Sequence, residues 1–386
     1  MSNNFFDVIG VADMERVHSA VIGWMLSDQC NAFGTCPDGR RLRSELLQTI
    51  FKVKPNKWIN SFNTITSFVE WNDLDILIVT EYNNKHQYWV IENKVKSSQH
   101  SGQLDKYVEF IQKKYPGAEQ HFCLLSLIEE KPICTITDGW VNTHYKDLCS
   151  SLNEKLIGSA KSDKDHVILD EYVACISQLS DAVDIFLDKH TDYINVFTDG
   201  AKKKDEKIND SKSDSTSYIS EHGLETIFQK CFLRKIMEII IEESEKEFLE
   251  TFYSFSITET HGTALVDLRY KTIDFNLFGV QRVNFGIQFQ NGSFKIQILG
   301  ENDDKTANIK TIDFINYWNN RANERWKSEW KVNPSKRNKK PYLSFTQKVS
   351  WWKAAEPWYR NSLNDIVNTW KNAIISCKTM INHLLK

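Results

Sequence analysis

Two acidic residues and one lysine stand at the borders of two apolar segments. Asp75 directly precedes the apolar run Ile-Leu-Ile-Val, while Glu92 and Lys94 follow the apolar residues 88–91. Side chains alternate along a strand, so Glu92 and Lys94, two positions apart, are predicted to lie on one face. A hairpin that turns within residues 81–86 would bring Asp75 to the same end of the sheet. The sequence therefore predicts two neighbouring carboxylates with an ammonium group beside them.

A carboxylate pair of this kind favours a divalent cation. Two negative groups in a partly dry pocket repel each other unless a cation neutralises them, and hard oxygen ligands with open water positions suit Mg²⁺ or Mn²⁺. Such an ion lowers the pKa of bound water, and a nearby ammonium such as Lys94 can orient or deprotonate the attacking water. The alternative is that these residues have only a structural role, because Asp-Leu-Asp is a common turn sequence and Glu-Asn-Lys is a common sequence at the end of a strand.

Two further segments have helical spacing. Gln103 and Tyr107 are four residues apart, which places them on one face of a helix. Upstream, residues 13–26 carry apolar side chains at helical spacing, and Glu15 and His18 share a face of that predicted helix. Each of these two has an ordinary alternative: a glutamate in a first turn favours the helix dipole, and a histidine beside an apolar face is usually a core residue.

Taken together, these segments resemble the PD-(D/E)XK nuclease superfamily. Within it they resemble the RecB-like branch, which carries a QxxxY element, and bacterial proteins whose second motif reads Ile-Glu-Asn-Lys. The resemblance implies that Asp75 and Glu92 are metal ligands, that Lys94 is the catalytic lysine and that the carbonyl group of Asn93 is an additional ligand. It also implies that the QxxxY residues line the site from a helix. Those two residues are Gln103 and Tyr107.

The resemblance reaches the N-terminal helix as well. In this family the first helix contributes an acidic residue, and in RecB-like members often a histidine, which implies that Glu15 and His18 belong to the metal site. One departure from the family pattern is that no proline precedes the first aspartate. Either Asp73 or Asp75 could be that aspartate, since both lie on one strand face. We favour Asp75 because the uninterrupted apolar run starts directly after it.

The length of 386 residues exceeds that of one typical domain, and the hydrophobic content of 41% is ample for more than one core. We predict an α/β fold with a restriction-endonuclease-like core, a mixed central sheet flanked by helices, at residues 1–200. Residues 201–217 contain almost no apolar side chains and are predicted to be a polar linker or loop. Strand-like alternation and an Asn291-Gly292 turn predict a second, α+β domain at 218–386, which would bind substrate or a partner.

The overall charge and the cysteine pattern restrict the class of protein. A net charge of −3 and a pI near 6.4 mean that nucleic acid, if bound, must meet local basic patches. Eight cysteines occur without CxxC pairs, and neither a signal peptide nor an apolar run long enough to span a bilayer is evident. These features predict a cytoplasmic protein with reduced thiols and no membrane partner.

A basic and aromatic region near the C-terminus is a second candidate site. Four charges in it stand close to a pair of tryptophans, Trp351 and Trp352. Lysine and arginine neutralise phosphates, and exposed aromatic rings stack on unpaired bases. The alternative is that the tryptophans pack a helix against a sheet and that the charges belong to a solvated loop. The four predicted nucleic-acid-binding residues are Lys336, Arg337, Lys339 and Lys340.

The function that these observations favour is hydrolysis of phosphodiester bonds, in DNA, by an enzyme that depends on Mg²⁺ or Mn²⁺. The second domain would select the substrate, a protein partner or a second copy of the chain. The resemblance further implies a role in bacterial defence against phage or foreign DNA. The competing hypothesis is a catalytically silent module of the same fold that binds nucleic acid or protein.

Overall fold

The computed structural model describes most of the chain, in two compact units. The described residues are 4–34, 38–54, 62–97, 99, 102–156, 164–193, 196, 214–252, 254–260, 263–290, 292–304, 306–322, 330–337, 340–347 and 361–386. The first unit is Met1–Ile185 with Glu221–Leu224, and the second is Phe186–Ser220 with Glu225–Lys386. The predicted domain boundary at residue 200 and the predicted linker up to residue 213 lie outside the described residues; the last linker residues, 214–217, are helical.

The first unit is built on a five-stranded sheet in the order β1-β2-β3-β4-β5. Its strands are β1 (Thr64–Trp71), β2 (Leu74–Tyr82), β3 (Lys85–Lys94), β4 (Glu119–Ser126) and β5 (Trp140–His144). Its helices are α1 (Phe5–Val8), α2 (Glu15–Met25), α3 (Asp38–Phe51), α4 (Gln103–Lys114), α5 (Tyr145–Leu156) and α6 (Lys164–Asp188), the last of which continues past the end of this unit.

The sheet of this unit is mixed. The first three strands are antiparallel neighbours, whereas β3, β4 and β5 run parallel. Parallel neighbours require a crossover connection, and α4 provides the one between β3 and β4. The predicted mixed sheet flanked by helices is therefore confirmed.

Two short turns close the antiparallel hairpins. Asn72 and Asp73 join β1 to β2 with φ of 50° and 65°, and Asn83 and Asn84 join β2 to β3 with φ of 48° and 58°. Two-residue hairpin turns need this left-handed backbone, which asparagine and aspartate tolerate better than other side chains. Asp73 consequently lies in a turn, whereas Asp75 is the second residue of β2.

The two faces of the sheet are covered differently. One face packs against α4 through a buried core that includes Leu77, Val90 and Val108. The opposite face packs against α2 and α3, and a Cβ atom at Gly23 of α2 would lie 2.5 Å from Val69 Cγ2, so only glycine permits this approach. Because side chains alternate, the two predicted acids and the lysine share the face of Leu77 and Val90, which is the α4 face.

The second unit contains a fully antiparallel sheet of six strands in the order β10-β11-β9-β8-β7-β6. Its strands are β6 (Ser254–Thr260), β7 (Thr263–Leu277), β8 (Val280–Gln290), β9 (Ser293–Glu301), β10 (Trp330–Arg337) and β11 (Lys340–Gln347). Its helices are α8 (Glu225–Thr251), α9 (Thr311–Arg321), α10 (Leu363–Leu385), a 3₁₀ turn at His190–Asp192, and most of α7 (Asp214–Glu221).

The core of the second unit is aromatic. Trp370 of α10 packs on Phe289 of β8 with ring centroids 4.1 Å apart, and Trp318 and Trp330 are each 2% exposed. A second sheet domain is therefore present, as predicted. Asn291, half of the predicted hairpin turn between β8 and β9, lies outside the described residues. Across the described parts of both units, none of the helices is long and apolar enough to traverse a bilayer.

Candidate active site

The two acidic residues meet at one end of the β2–β3 hairpin. Strand pairing reaches Ile76↔Ile91, directly beside Asp75 and Glu92. Asp75 Oδ2 accepts a hydrogen bond of 2.8 Å from the backbone N–H of Asn93, and the side chain of Glu92 is fully buried. The hairpin predicted from the sequence thus brings the two carboxylates together.

The electrostatics of this pair are unfavourable without a cation. Burial, and then the negative charge of Glu92, raise the pKa of Asp75 to about 7 from its ordinary value near 3.8. Among the described residues, Glu92 Oε2 has no hydrogen-bond partner. Buried polar oxygens normally have partners, and a bound cation would supply one for this oxygen.

Lys94 supplies the positive charge at this site. Its Nζ lies 2.6 Å from Glu92 Oε1, and its side chain is 8% exposed. Burial acts to lower the pKa of Lys94, but the charge of Glu92 and its hydrogen bond, followed by Asp75, raise it above the ordinary value. Lys94 is therefore an ammonium at neutral pH, and it balances only part of the charge of the two acids.

Gln103 and Tyr107 tie α4 to this end of the sheet. The Tyr107 hydroxyl accepts a 3.1 Å hydrogen bond from Gln103 Nε2 and donates one of 2.6 Å to the carbonyl oxygen of Asp73. Burial, then the charges of Glu92 and Asp75, raise the pKa of Tyr107 well above its usual range. The hydroxyl consequently stays neutral and anchors the β1–β2 turn.

Glu15 binds the segment that leaves β3. Its Oε1 accepts hydrogen bonds from the backbone N–H groups of Val95, Lys96 and Ser97 at 2.9, 3.1 and 2.9 Å, and its Oε2 accepts one from Ser97 Oγ at 2.9 Å. Burial acts to raise the pKa of Glu15, but these donors and the charge of Lys94 lower it overall. The carboxylate is ionised and fixes the main chain just beyond Lys94.

His18 lies in the core behind the sheet. Its Nε2 donates to the carbonyl oxygen of Ala12 at 2.8 Å, and its Nδ1 accepts from the Tyr172 hydroxyl at 3.1 Å. Burial lowers the pKa of His18 to about 4, so the ring is neutral, which agrees with one donating and one accepting nitrogen. A metal-ligand role for His18 stays a prediction, and it would require breaking one of these hydrogen bonds.

The Asn93 side chain points to the opposite face and locks β3 to two helices. Its Nδ2 donates to the Glu15 carbonyl oxygen at 2.9 Å and to Ser19 Oγ at 3.0 Å, while its Oδ1 accepts from the Tyr145 hydroxyl at 2.5 Å. Because the backbone N–H of Asn93 also donates a hydrogen bond to Asp75, Asn93 connects the acidic pair to α2 and α5. The predicted ligand role of its carbonyl oxygen stays a prediction.

Three contributors were missed by reasoning from the sequence. Tyr145 and Ser19 hold Asn93, and the charge of Glu70 at the end of β1 further raises the pKa of Asp75. Tyr145 lies 52 residues from its partner, and no spacing rule connects them. Glu70 has a left-handed backbone with φ of 53°, so it breaks the alternation by which strand positions are read.

The donor set suits a divalent cation. Asp75 and Glu92 offer hard oxygen ligands, one of them with an unpartnered buried oxygen, and burial followed by the charge of Glu92 raises the pKa of Asp75, so a cation between the two acids would favour their ionised forms. In the part of the chain that the structure describes, no three His, Cys, Asp or Glu side chains form a complete metal cage. A cation here would therefore take its remaining ligands from main-chain oxygens, water or substrate, as Mg²⁺ commonly does.

The second predicted site belongs to the second unit. Lys336 and Arg337 end β10 and Lys340 begins β11, with Arg337 and Lys340 paired in register. Lys339, Trp351 and Trp352 lie outside the described residues. The nucleic-acid-binding role of the four basic residues stays a prediction.

Comparison with known proteins gives one family match, which falls within the first unit. Residues 3–174, slightly under half of the chain, match the family model of the PD-(D/E)XK nuclease superfamily. The matched segment contains α2, β2, β3 and α4, and therefore the acidic pair, Lys94 and the Gln103–Tyr107 pair. Neither a curated protein nor a solved structure matches the chain. The superfamily match suggests nuclease activity and a nucleic-acid substrate for this unit.

Proposed function

We propose that the chain is a divalent-metal-dependent nuclease of the PD-(D/E)XK type that hydrolyses phosphodiester bonds in DNA. The observation that carries this proposal is the buried pair of Asp75 and Glu92 with the Lys94 ammonium 2.6 Å from Glu92, inside the segment that matches the superfamily. Two acids and one lysine at the end of a hairpin provide both a cation site and a positive group for the attacked phosphate.

In this mechanism Asp75, Glu92 and the carbonyl oxygen of Asn93 would hold Mg²⁺ or Mn²⁺. When bound, the ion supplies a lowered pKa for a bound water and offsets negative charge on the scissile phosphate. Lys94 orients the attacking water and adds positive charge beside the phosphate. Tyr107 keeps the β1–β2 turn in place, and thereby the start of β2 that carries Asp75.

The RecB-like branch is the finer assignment that we propose. It is supported by the hydrogen bond between Gln103 and Tyr107, which face the acidic pair from α4 at the spacing of a QxxxY element. In this assignment Gln103 and Tyr107 position the substrate strand or Lys94. Glu15 belongs to the site through its hold on residues 95–97.

The biological setting is proposed on the resemblance to bacterial nucleases of this type. It comprises DNA as substrate, defence against phage or foreign DNA, and a cytoplasmic location. The second unit would select the substrate, a protein partner or a second copy of the chain, with Lys336, Arg337, Lys339 and Lys340 as its nucleic-acid-binding residues.

The test is cleavage of plasmid, linear duplex and single-stranded DNA, and of RNA, in Mg²⁺, Mn²⁺ or EDTA. Asp75→Asn and Asp73→Asn are matched variants, because both remove one carboxylate within three residues of chain. We expect cleavage of DNA with metal by the wild type and by Asp73→Asn, and none with EDTA or by Asp75→Asn. Cleavage by Asp75→Asn at the wild-type rate would overturn the proposed ligand, and cleavage that persists in EDTA would overturn metal dependence.

The competing hypothesis of a silent binding module makes a different prediction for the same samples. Such a module would bind DNA without cutting it under any of the metal conditions. Calorimetry with Mn²⁺ shows whether such a module still has a cation site. If the site is intact, Mn²⁺ binding releases heat, and Asp75→Asn abolishes that heat.

A further inference from the structure

Aromatic and basic side chains form a ledge on β1, the strand paired with β2, and on α4. Phe68 and Trp71 of β1 have ring centroids 5.7 Å apart, and Trp71 and Phe110 of α4 are also 5.7 Å apart. Phe68 is 41% exposed, which is unusual for a large aromatic side chain on a sheet face. Lys114 of α4 lies over the Trp71 ring, and the exposed Lys106 stands about two turns earlier on the same helix. We call these five residues the β1–α4 ledge.

Strand register places the ledge on the face that carries the site. Phe68 pairs with Leu77 and Trp71 with Leu74, and both leucines belong to the core under α4. Asp75 lies between these two leucines and, with Leu77, faces α4. Phe68 therefore stands diagonally across the β1–β2 pair from Asp75, on an edge strand of the sheet, and its side chain is exposed.

The helix contributes the charges of the ledge. Gln103, Lys106, Phe110 and Lys114 recur every three or four residues, so they form one stripe along the flank of α4 that faces β1. Contacts with Trp71 confirm this orientation, since Lys114 Nζ lies 3.8 Å from the Trp71 ring centroid. The stripe rises about 16 Å along the helix axis from Gln103, which donates to the Tyr107 hydroxyl, to Lys114.

Lys106 has no charge partner in the described part of the chain, and its side chain is exposed. Lys114 Nζ is held over Trp71, with the ring centroids of Phe110 and Tyr115 at 5.3 and 5.9 Å, but the side chain is exposed and an ammonium has three donors. Two exposed cations therefore lie on the helix that packs against the rings of β1, of which Phe68 is the exposed one. Alternating rings and cations are what a nucleic-acid strand with exposed bases requires.

We propose that the β1–α4 ledge binds an unpaired DNA strand that leads to the acidic pair, with Phe68 stacking on a base and Lys106 and Lys114 contacting phosphates. This inference rests on the proposed nuclease function and names its substrate class as single-stranded DNA or a single-stranded extension. Base stacking on a side chain requires an exposed base face, which an intact duplex covers. A second copy of the chain is the other conceivable occupant of an edge strand, but it gives no reason for two cations beside the rings.

The experiment measures DNA binding in an Asp75→Asn background, in EDTA, so that nothing is cut. The probe is a fluorescein-labelled single-stranded oligonucleotide, with a blunt duplex of the same sequence for comparison. Phe68→Ala should weaken single-strand binding by about tenfold and leave duplex binding unchanged. The Lys106→Ala, Lys114→Ala double variant should reduce the slope of log affinity against log salt by about 1.4, or about 0.7 for each phosphate that is no longer neutralised.

Matched controls come from the same unit. Phe5→Ala removes another exposed phenylalanine, 55% exposed in α1, and Lys85→Ala removes an exposed lysine at the far end of β3 from Glu92. Neither variant should change affinity or salt slope. A loss of affinity in Phe5→Ala equal to that in Phe68→Ala would overturn the proposal, and so would a wild type that does not bind the single strand.

An abasic scan separates this proposal from the nuclease proposal. Removing one base at a time from the oligonucleotide should weaken binding at one position in the parent and at none in the Phe68→Ala variant. Metal-dependent cleavage by the wild-type chain without this signature would overturn the ledge and leave the nuclease standing. The same loss of binding at one abasic position, without any cleavage, would support the ledge and overturn the nuclease proposal. If Phe68→Ala leaves DNA binding unchanged but dissolves a dimer in sedimentation, the ledge is an interface between copies, and the proposal is wrong.

Discussion

At the residue scale, the acidic pair carries more negative charge than Lys94 balances. Asp75 titrates near pH 7 because it is buried and lies beside Glu92. Its ordinary pKa is about 3.8, so the unfolded chain releases this proton at lower pH than the folded chain does. Between these two values the folded state holds more protons, and stability falls as the pH rises. The site is therefore least favourable at pH 7 and above, unless a cation binds.

Asp75→Asn should accordingly stabilise the metal-free protein in a pH-dependent way. We expect the free energy of unfolding to rise by about 1–3 kcal/mol at pH 8, and this gain to fade as the pH is lowered towards 4. Denaturant unfolding in EDTA at pH 4, 6 and 8 measures it. Asp73→Asn, in the exposed turn, should show no such trend. An equal gain for Asp75→Asn at every pH would contradict the raised pKa.

Lys94 and Glu92 are expected to have separable roles. Lys94→Ala should lower the cleavage rate by orders of magnitude but leave Mn²⁺ affinity close to that of the wild type, because an ammonium is not a ligand. Glu92→Gln should lose metal affinity as well. Calorimetry and single-turnover cleavage distinguish the two, with Lys85→Ala as the lysine control. Equal loss of Mn²⁺ affinity in Lys94→Ala and Glu92→Gln would refute this division.

At the element scale, the parts of the site that follow from the sequence are those with a local pattern. The apolar runs predict β2 and β3, and helical spacing predicts α4 with Gln103 and Tyr107 on it. The left-handed turn at Asn72 and Asp73 does not follow from these patterns, although it places Asp75 rather than Asp73 on the strand. Glu15 stands out in the sequence, but its partners are backbone N–H groups, and main-chain donors leave no mark in a sequence.

The hydrogen bonds around Asn93 depend on α5, which the sequence does not indicate. Tyr145→Phe removes the only hydroxyl that Asn93 Oδ1 accepts from in the described residues, and this oxygen is buried. We expect the free energy of unfolding to fall by about 1–3 kcal/mol, since a buried acceptor loses its donor. The cleavage rate should fall too, because the backbone N–H of Asn93 holds Asp75.

A matched variant is Tyr88→Phe, which removes a hydroxyl from another nearly buried tyrosine, stacked on Tyr115. Its effect on unfolding should stay within about 0.5 kcal/mol, the usual range for a substitution that disrupts no buried network. Cleavage by Tyr88→Phe should match the wild type. If Tyr145→Phe and Tyr88→Phe behave alike in both measurements, the role of Tyr145 in positioning β3 is refuted.

At the scale of the whole molecule, chain length and strand-like alternation predict two sheet-containing parts, and the structure contains two. The strands β10 and β11 do not follow from the sequence, because residues 330–347 are rich in lysine, asparagine and proline, which are depleted in strands. Their formation depends on packing instead: Trp330 and Phe345 are buried in the second unit. The residue types of this region predict a basic and aromatic surface. Trp330 is instead packed in the core, as the structural alternative for the tryptophans of this region predicts.

The basic residues of this region can still be tested as a contact for DNA. Replacing Lys336, Arg337, Lys339 and Lys340 by alanine should weaken DNA binding and reduce the salt slope by about one unit for each phosphate that these side chains neutralise. Cleavage at saturating DNA should survive, because the acidic pair belongs to the first unit. Exchanging the three lysines for arginine preserves the charges and should preserve the slope. An unchanged slope and affinity in the alanine variant would return the segment to a structural or partner-contact role.

The turns at residues 72–73 and 83–84 also determine when the acidic pair assembles during folding. They make β1, β2 and β3 a meander of local contacts, whereas β4 and β5 join only through longer crossovers. Local hairpins form within microseconds and non-local parallel pairing is slower. We therefore expect Asp75 and Glu92 to meet before α4 docks, while both carboxylates are still hydrated, so that the cost of burying them falls on the later and slower docking step. Asp75→Asn should speed refolding at pH 8 more than it slows unfolding, so the charges that would hold a catalytic ion also slow the formation of their own site.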